Sequence, residues 1–215
     1  MVSLQERLHS TIDKYEAKDF SFFFKSLKGI SENQLKNHYS LYEGYIKKIN
    51  EIQEKLKTVD KSNANATYSE LRELHVEQTY ALNGVILHEL YFSNLVDRAT
   101  QPTETLKMII ERDFGSWDNY IQDLKAVGKC MRGWVVTAYN YRDGRVHNYG
   151  LDTHNTFVPV FVRPLLVLDV YEHAYMVDYG VNRAAYLDAF VENINWPVVS
   201  ERFEAELKTL SEASR

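Results

Sequence analysis

The chain has 215 residues, of which 45% are hydrophobic and 26% are charged, and its formal net charge is −5. These values are typical of a soluble globular protein with one domain or two closely packed halves. The acidic balance gives no reason to expect binding to nucleic acid, and no apolar run reaches the roughly 20 residues of a membrane span. One cysteine, Cys130, excludes an internal disulfide. Together with an N-terminus that lacks an apolar signal core, it favours the cytoplasm.

The first 20 residues predict a short polar helix or arm, with apolar residues at helical spacing on one side. An aromatic cluster follows directly, and we expect it to anchor the arm to the core. The apolar residues of the arm are Leu4, Leu8 and Ile12, and the aromatic cluster is Phe20, Phe22, Phe23 and Phe24.

Two capping patterns predict two long helices in the first half of the chain. Ser31 followed by Gln34 marks the start of the first helix, and apolar residues at helical spacing extend it almost to the polar loop 60–66. Thr67 followed by Glu70 marks the start of the second. Because the connecting loop is short, the two helices should form an antiparallel hairpin.

Each of these helices carries one histidine among its apolar positions. His38 follows Leu35 by one helical turn, and His88 lies within the apolar pattern of the second helix. A single histidine on such a face is usually a hydrogen-bonded core residue. Two histidines on facing helices are also compatible with a metal site, and the residues alone leave both interpretations open.

The boundary between the halves is placed in the polar link that contains Pro102. Residues 1–98 are then an N-terminal arm and helical hairpin, and residues 103–215 form a half in which helices and strands alternate. This pattern predicts an α+β fold in which the hairpin packs on a C-terminal α/β half with a three-stranded antiparallel sheet.

The second half contains four predicted helices and three predicted strands. Asp143-Gly144 predicts the turn between the first two strands, and residues 152–163 are expected to be irregular. In chain order the elements are helices from about Thr103 to Arg112 and from Ser116 to about Lys129, strands at 134–139, 146–151 and 165–168, and helices from Asn182 to about Asn193 and from Pro197 to about Leu210.

A carboxylate and an imidazole follow the last predicted strand. The strand 165–168 reads as buried, and it is followed by Asp169 and, four residues later, by His173. A buried carboxylate and imidazole are costly unless something satisfies them. A metal ion would do so, and a simple Asp–His pair at the edge of the core is the alternative.

The longer stretch DVYEHAY at residues 169–175 resembles the DxWEHAY signature of the iron/manganese superoxide dismutases. The sequence around His38 resembles that family's ISxxTxxxHY motif, and the sequence around His88 resembles its NHxFYW motif. The resemblance extends from about residue 19 to residue 207. It implies that His38, His88, Asp169 and His173 bind one iron or manganese ion per chain. It also implies that the protein converts superoxide to dioxygen and hydrogen peroxide by one-electron cycling of that ion.

The family places a glutamine or histidine next to the metal-bound solvent, from one of two positions. Gly84 occupies one of them here, and His154 is expected to serve from the other, which slightly favours iron by resemblance. Trp134 matches the tryptophan that lines the metal pocket. Tyr171 replaces the tryptophan of the WEH motif and should keep the pocket dry.

The first helix departs from the family pattern HxxxHxxxY. Its three positions hold His38, Tyr42 and Ile46, so the tyrosine that relays protons in the family is missing in register. We expect Tyr42 or Tyr45 to replace it, with Gly44 easing a local distortion such as a π-bulge that turns Tyr45 inward. Met176 also stands where the family has a tyrosine.

Two residues support a homodimer, although a tetramer is an alternative. Glu172 matches the family's glutamate that reaches the metal site of the other subunit, and Arg183 matches the arginine near it. The replaced tyrosines motivate a different hypothesis, a metal-binding protein of the same fold with weak or no dismutase activity and a structural or interaction role. Another iron chemistry, such as that of a peroxidase or oxygenase, is a further alternative without a pocket signature to support it.

Overall fold

The computed structural model describes residues 14–213, so the predicted arm helix with Leu4, Leu8 and Ile12 lies outside the described residues. Two single-turn 3-10 helices, Ser21–Phe23 and Glu172–Ala174, accompany seven α-helices and three strands in this part of the chain. In order these are α1 (Glu32–Thr58), α2 (Glu70–Ser93), α3 (Glu104–Phe114), α4 (Trp117–Cys130), β1 (Trp134–Asn140), β2 (Arg145–Leu151), β3 (Val162–Asp169), α5 (Met176–Tyr179), α6 (Arg183–Glu192) and α7 (Trp196–Ala213). The predicted α+β architecture is confirmed.

Helices α1 and α2 form the antiparallel hairpin. The Ser31 hydroxyl accepts a hydrogen bond from the Gln34 amide at 3.0 Å, as the capping pattern predicted. The cap predicted for α2 was wrong, because Ser69, and not Thr67, accepts from the amide of the third helical residue. The Thr67 amide instead donates to the Asn65 side chain at 2.8 Å, which holds Thr67 in the turn before the helix.

Helix α1 is a regular α-helix over its whole length, and the expected π-bulge at Gly44 is absent from it. No distortion is needed to bring Tyr45 to the face that carries His38. Seven residues separate the two, and seven steps of about 100° end only roughly 20° short of two full turns.

The sheet is antiparallel in the order β2-β1-β3, so β1 is the central strand. Trp134 at the start of β1 lies opposite Asp169 at the end of β3. The apolar residues 165–168 of β3 are all buried, as expected for a strand covered on both faces. Since α2 packs against β3, the end of this strand faces the helical hairpin.

Hydrogen bonds fix the hairpin against the second half. The Asn94 side chain, at the end of α2, donates to the Val167 carbonyl of β3 at 2.7 Å. Arg202 of α7 donates to the Asn94 side chain and to the Leu165 carbonyl, both at 2.6 Å. These contacts fix the position of α2 along its axis relative to the carboxyl end of β3, and they therefore fix the position of His88.

The aromatic cluster packs residues 20–24, which follow the predicted arm, onto the hairpin. Phe20, Phe23 and Phe24 are buried, and the Phe20 ring stacks on Phe92 with 5.3 Å between centroids. Phe22 is the exception, since it is 80% exposed. The described helices do not include one that is both long and apolar enough to cross a membrane.

Candidate metal centre

Four side chains from four segments meet at the junction of the two halves. They are His38 of α1, His88 of α2, Asp169 at the end of β3 and His173 in the second 3-10 helix. One potential ligand atom from each lies within 4.8 Å of the other three. His38, His88 and Asp169 are fully buried, while the His173 side chain is 24% exposed.

One carboxylate oxygen is the centre of this cluster. Asp169 Oδ2 lies 2.9 Å from His38 Nε2, 3.1 Å from His173 Nε2 and 3.7 Å from His88 Nε2. Its other oxygen, Oδ1, accepts a hydrogen bond from the Tyr171 amide at 2.9 Å. Three imidazole nitrogens therefore converge on the free oxygen of one oriented carboxylate.

The donor set fits a divalent or trivalent cation. His88 Nδ1 lies 2.6 Å from the Gly84 carbonyl, which can only accept, so the ring proton is on Nδ1. His88 Nε2 is then a bare lone pair that is buried and has no hydrogen-bond partner. A lone pair aimed at a buried carboxylate is unfavourable unless a cation lies between them. Three imidazoles and one carboxylate suit iron or manganese, and also zinc.

The charges in the cluster determine the protonation states of the candidate ligands. Burial lowers the pKa of His38 and lowers the pKa of His88 well below its usual range, so both imidazoles are neutral. Burial opposes the charge of Asp169, but His173 and His38 more than offset it and lower the pKa of this carboxyl group. Burial opposes the charge of His173, but Asp169 more than offsets it and raises the pKa of this ring. The result is a buried anion facing two neutral imidazoles, and metal binding at His173 would release the proton that this ring favours.

His173 is held in place by a residue that the sequence analysis assigned only to a helix cap. The Gln34 side-chain amide donates to the His173 carbonyl, and its oxygen accepts from the Val177 amide at 3.0 Å. The backbone amide of Ser31, which Gln34 would reach in a full capping box, donates instead to Asp178 at 2.6 Å. Gln34 is thereby free to position the fourth candidate ligand.

His154 lies beside the cluster and has no exposed surface. Its Nδ1 accepts a hydrogen bond from the Trp134 indole nitrogen at 2.9 Å, and its Nε2 lies 2.8 Å from the Tyr45 hydroxyl. Because an indole N–H can only donate, Nδ1 must be unprotonated. His154 is therefore the neutral tautomer whose Nε2–H donates to Tyr45.

Because His154 is buried in its neutral form, we expect the free energy of unfolding to depend on pH through the protonation of this residue. Burial lowers the pKa of His154 to about 4, from 6.5 for an unperturbed histidine. As the pH falls below 6.5, the unfolded chain takes up a proton that the folded protein refuses, so stability is lost. Between pH 7 and pH 5 this amounts to about 2 kcal/mol of the free energy of unfolding.

His154→Gln tests this, since a glutamine can accept from Trp134 and donate to Tyr45 but does not titrate. Urea unfolding of the metal-free protein at pH 7 and pH 5 should show a loss of stability that is about 2 kcal/mol smaller in the variant than in the wild type. An equal loss in both proteins would contradict the neutral, buried His154.

The two candidate tyrosines of α1 lie in different surroundings. Tyr45 contacts His154, whereas the Tyr42 hydroxyl accepts from the Lys18 amide at 2.9 Å and donates to Glu89 at 3.0 Å. Tyr42 is fully buried, but its polar end points toward the N-terminal arm. Of the two, only Tyr45 presents its hydroxyl to His154.

The other predicted site residues lie around the cluster or at its outer side. Trp134 packs edge-on against His88 with 5.0 Å between ring centroids, and Tyr171 stacks on His173 at 5.1 Å. Glu172 is exposed next to His173. Arg183 donates to the Tyr175 hydroxyl at 3.1 Å and to the Met131 carbonyl at 2.7 Å.

Two residues beside the site were not identified from the sequence. Tyr80 of α2 packs on His154 with 4.5 Å between ring centroids, and the Tyr186 hydroxyl donates to the Asp169 carbonyl at 2.7 Å. Tyr80 lies two helical turns before His88, and this spacing was the available signal. The position of Tyr186 depends on how α6 packs, which no local pattern shows.

The comparisons with known proteins agree with this site. Residues 102–202 match the family model for the C-terminal domain of iron/manganese superoxide dismutases. The chain is 46% identical to the iron superoxide dismutase of Aquifex pyrophilus, over 92% of this chain and 94% of the relative. It is 47% identical to that of Aquifex aeolicus, over 86% and 89% of the two chains. A manganese superoxide dismutase of Halobacterium salinarum is 28% identical over 90% and 96%. The chain belongs to the iron/manganese superoxide dismutase family.

Proposed function

We infer that this protein is a superoxide dismutase that uses one iron or manganese ion per chain. The observation that carries this inference is the buried cluster of three imidazole nitrogens and one carboxylate oxygen within 4.8 Å, in a chain of this family. The similar proteins of the two Aquifex species are iron enzymes by name, which supports iron as the first candidate.

His38, His88, Asp169 and His173 are proposed as the ligands. When bound, the metal supplies reversible one-electron chemistry, by which one superoxide is oxidised to dioxygen and another is reduced to hydrogen peroxide. Backbone groups of the protein fix the orientation of two of these side chains. The Gly84 carbonyl sets the tautomer of His88, and the Tyr171 amide orients the Asp169 carboxylate.

Proton supply is assigned to Tyr45 and His154. Two superoxide ions and two protons give one dioxygen and one hydrogen peroxide, so each turnover takes up two protons. Burial raises the pKa of Tyr45, and its hydroxyl group is therefore protonated at neutral pH. His154 donates to the Tyr45 oxygen, which leaves the Tyr45 proton free to point away from His154 and toward a bound anion.

The same contact argues against a metal-binding protein without activity. That alternative was motivated by Ile46, which stands where the family pattern has a tyrosine. Since Tyr45 reaches His154 from a regular helix, the chain still has a tyrosine hydroxyl beside the site.

Metal loading and a superoxide assay test the proposed function. Protein purified from cells supplied with iron or with manganese should carry about one ion per chain and accelerate the loss of superoxide from a steady generator. The metal-free protein, prepared from the same batch with a chelator, should be inactive and should recover activity when the ion is returned. One ion per chain without activity would support the inactive alternative, and a chain that binds neither metal would overturn the ligand assignment.

A homodimer, with a tetramer as the alternative, is also part of the proposal, as is a cytoplasmic location. Exposed Glu172, next to the least buried ligand, and Met176, which is 43% exposed, support a subunit contact on this side of the site. The single cysteine supports a reducing compartment. We also propose that residues 1–98, the arm and helical hairpin, and residues 103–215 form two domains. Superoxide is the proposed substrate.

A further inference from the structure

The protons used in turnover must cross a buried layer of side chains. His154 is a fully buried polar residue beside the candidate ligands, and both of its ring nitrogens are already engaged. On one side its partner is the Trp134 indole, which has a single N–H and no lone pair that could accept a proton. A route through His154 therefore has to continue through its other partner, the Tyr45 hydroxyl.

The polar end of Tyr42 cannot continue this route. Its hydroxyl group is bound between the Lys18 amide and Glu89, on the side of α1 that faces the N-terminal arm. The described contacts of that hydroxyl include neither Tyr45 nor His154. The next polar group outward from Tyr45 has to come from another element.

Tyr80 provides that group. It is half-buried on α2, its ring lies 4.5 Å from the His154 ring and 6.1 Å from the Tyr45 ring, and both contacts are edge-to-face. Burial, and after it the neighbouring Tyr80, raises the pKa of Tyr45 and of Tyr171, which agrees with a Tyr80 side chain close to both. The Tyr171 oxygen is buried and has no hydrogen-bond partner among the described residues.

We propose that Tyr80 is a positioning residue for proton delivery, which connects Tyr45 to solvent and fixes the direction of the Tyr45 O–H bond. The proposal rests on the proposed function. Tyr45 already accepts from His154, and its second lone pair accepts from Tyr80, so its own proton points toward the product. When Tyr45 gives that proton to the peroxide product, it takes one from Tyr80, and Tyr80 takes one from water. Each hydroxyl group breaks one O–H bond and forms one, and the net change is one proton moved from solvent to product.

The exchange of the His154 Nε2 proton with water tests this route without turnover. The donor set also suits zinc, which is diamagnetic, so zinc-loaded protein labelled with 15N-histidine can be followed by NMR. A positioned proton donor contributes about 10²-fold or more to the rate of a proton transfer. We expect Tyr80→Phe, which removes only the hydroxyl group, to slow this exchange by at least ~10-fold. Tyr68→Phe is the matched control, because Tyr68 is 82% exposed in the turn before α2, and it should exchange at the wild-type rate.

The sign of the change separates a relay from simple packing. If Tyr80 only fills space, the variant is looser and the His154 proton exchanges at the same rate or faster, which would overturn the proposal. In iron-loaded protein the relay predicts a lower kcat in Tyr80→Phe, with kcat/KM nearly unchanged, because proton delivery limits turnover and not capture of superoxide. If the wild-type protein proved to lack dismutase activity, the proposed function would fail, while the exchange rates would still decide the role of Tyr80.

Discussion

His88→Ala is expected to abolish stoichiometric metal binding and, with it, dismutase activity. His88 Nε2 is a buried ring nitrogen without a partner within hydrogen-bond distance, and it faces the Asp169 carboxylate. His88 is also the only member of the described ligand cluster that α2 supplies. Loss of groups that only orient a ligand already weakens metal binding by ~10–100-fold, so loss of the ligand itself should cost at least ~100-fold. Elemental analysis of the purified variant, together with the superoxide assay, measures both effects.

The matched control is His75→Ala, the same substitution on the same helix. His75 is exposed, and its Nδ1 lies 3.3 Å from the Gln78 side chain. It is not part of the cluster of candidate ligands. It should keep the wild-type metal content and activity.

Asp169→Asn tests the site without opening a cavity, since it removes the charge and keeps the volume. Either His88→Ala or Asp169→Asn retaining about one ion per chain would contradict the proposed ligands.

The positions of the candidate ligands could be predicted because they depend on short patterns. Helical spacing placed His38 and His88 on the inner faces of the hairpin, and a buried strand ended at Asp169. The Asp–His pair alone was equally consistent with a buried polar pair. The structure shows that two further imidazoles converge on the same carboxylate oxygen, and a purely structural pair would not need them.

The surroundings of the ligands and the helix caps were harder to predict because they depend on which of several polar groups takes a given hydrogen bond. Gln34 has the spacing of a capping box, but Asp178, which lies 147 residues after Ser31, takes the Ser31 amide and frees Gln34 for His173. Thr67 and Ser69 could both cap α2, and the Asn65 side chain decides between them by binding the Thr67 amide. Sequence spacing identifies such candidates, and competing hydrogen bonds, from residues near or distant in the sequence, decide between them.

The interpretation of α1 shows a different difficulty. A comparison by position pointed to Ile46, and Tyr45 seemed to require a bulge to reach the site. Measured from His38 itself, Tyr45 is two turns away on the same face of an ordinary helix. What the sequence could not show is the space for its ring, which depends on α2.

Gly84 provides that space, and Gly84→Ala is expected to displace Tyr45. A Cβ atom at residue 84 would lie 2.9 Å from Cγ and 3.0 Å from Cδ1 of the Tyr45 ring, closer than side-chain carbons approach in folded proteins. Overpacking of this kind costs about 1–3 kcal/mol of stability. The metal content should not change, because His88 binds the backbone carbonyl of residue 84, which alanine retains.

Gly44→Ala separates this steric effect from helix propensity. Gly44 is also a helical glycine, it precedes Tyr45, and a Cβ atom there would meet nothing within 4 Å. Both substitutions gain up to ~1 kcal/mol from the better helix propensity of alanine. Gly44→Ala should therefore be as stable as the wild type or more so, and the two variants should differ by the overpacking cost, about 1–3 kcal/mol in the free energy of unfolding.

The consequence for catalysis follows from the position of one hydroxyl group. If Tyr45 moves away from His154 by about 1 Å, turnover should fall by ~10–100-fold in Gly84→Ala, while Gly44→Ala keeps wild-type activity. Crystal structures of the two metal-loaded variants would show whether the bond between Tyr45 and His154, 2.8 Å in the wild type, is lost in the first and kept in the second. A Gly84→Ala enzyme with an intact bond and full activity would show that the Tyr45 ring does not require a glycine beneath it. If the bond is lost, Gly84 and His154 depend on each other through Tyr45. A side chain at residue 84 would exclude the tyrosine that His154 contacts.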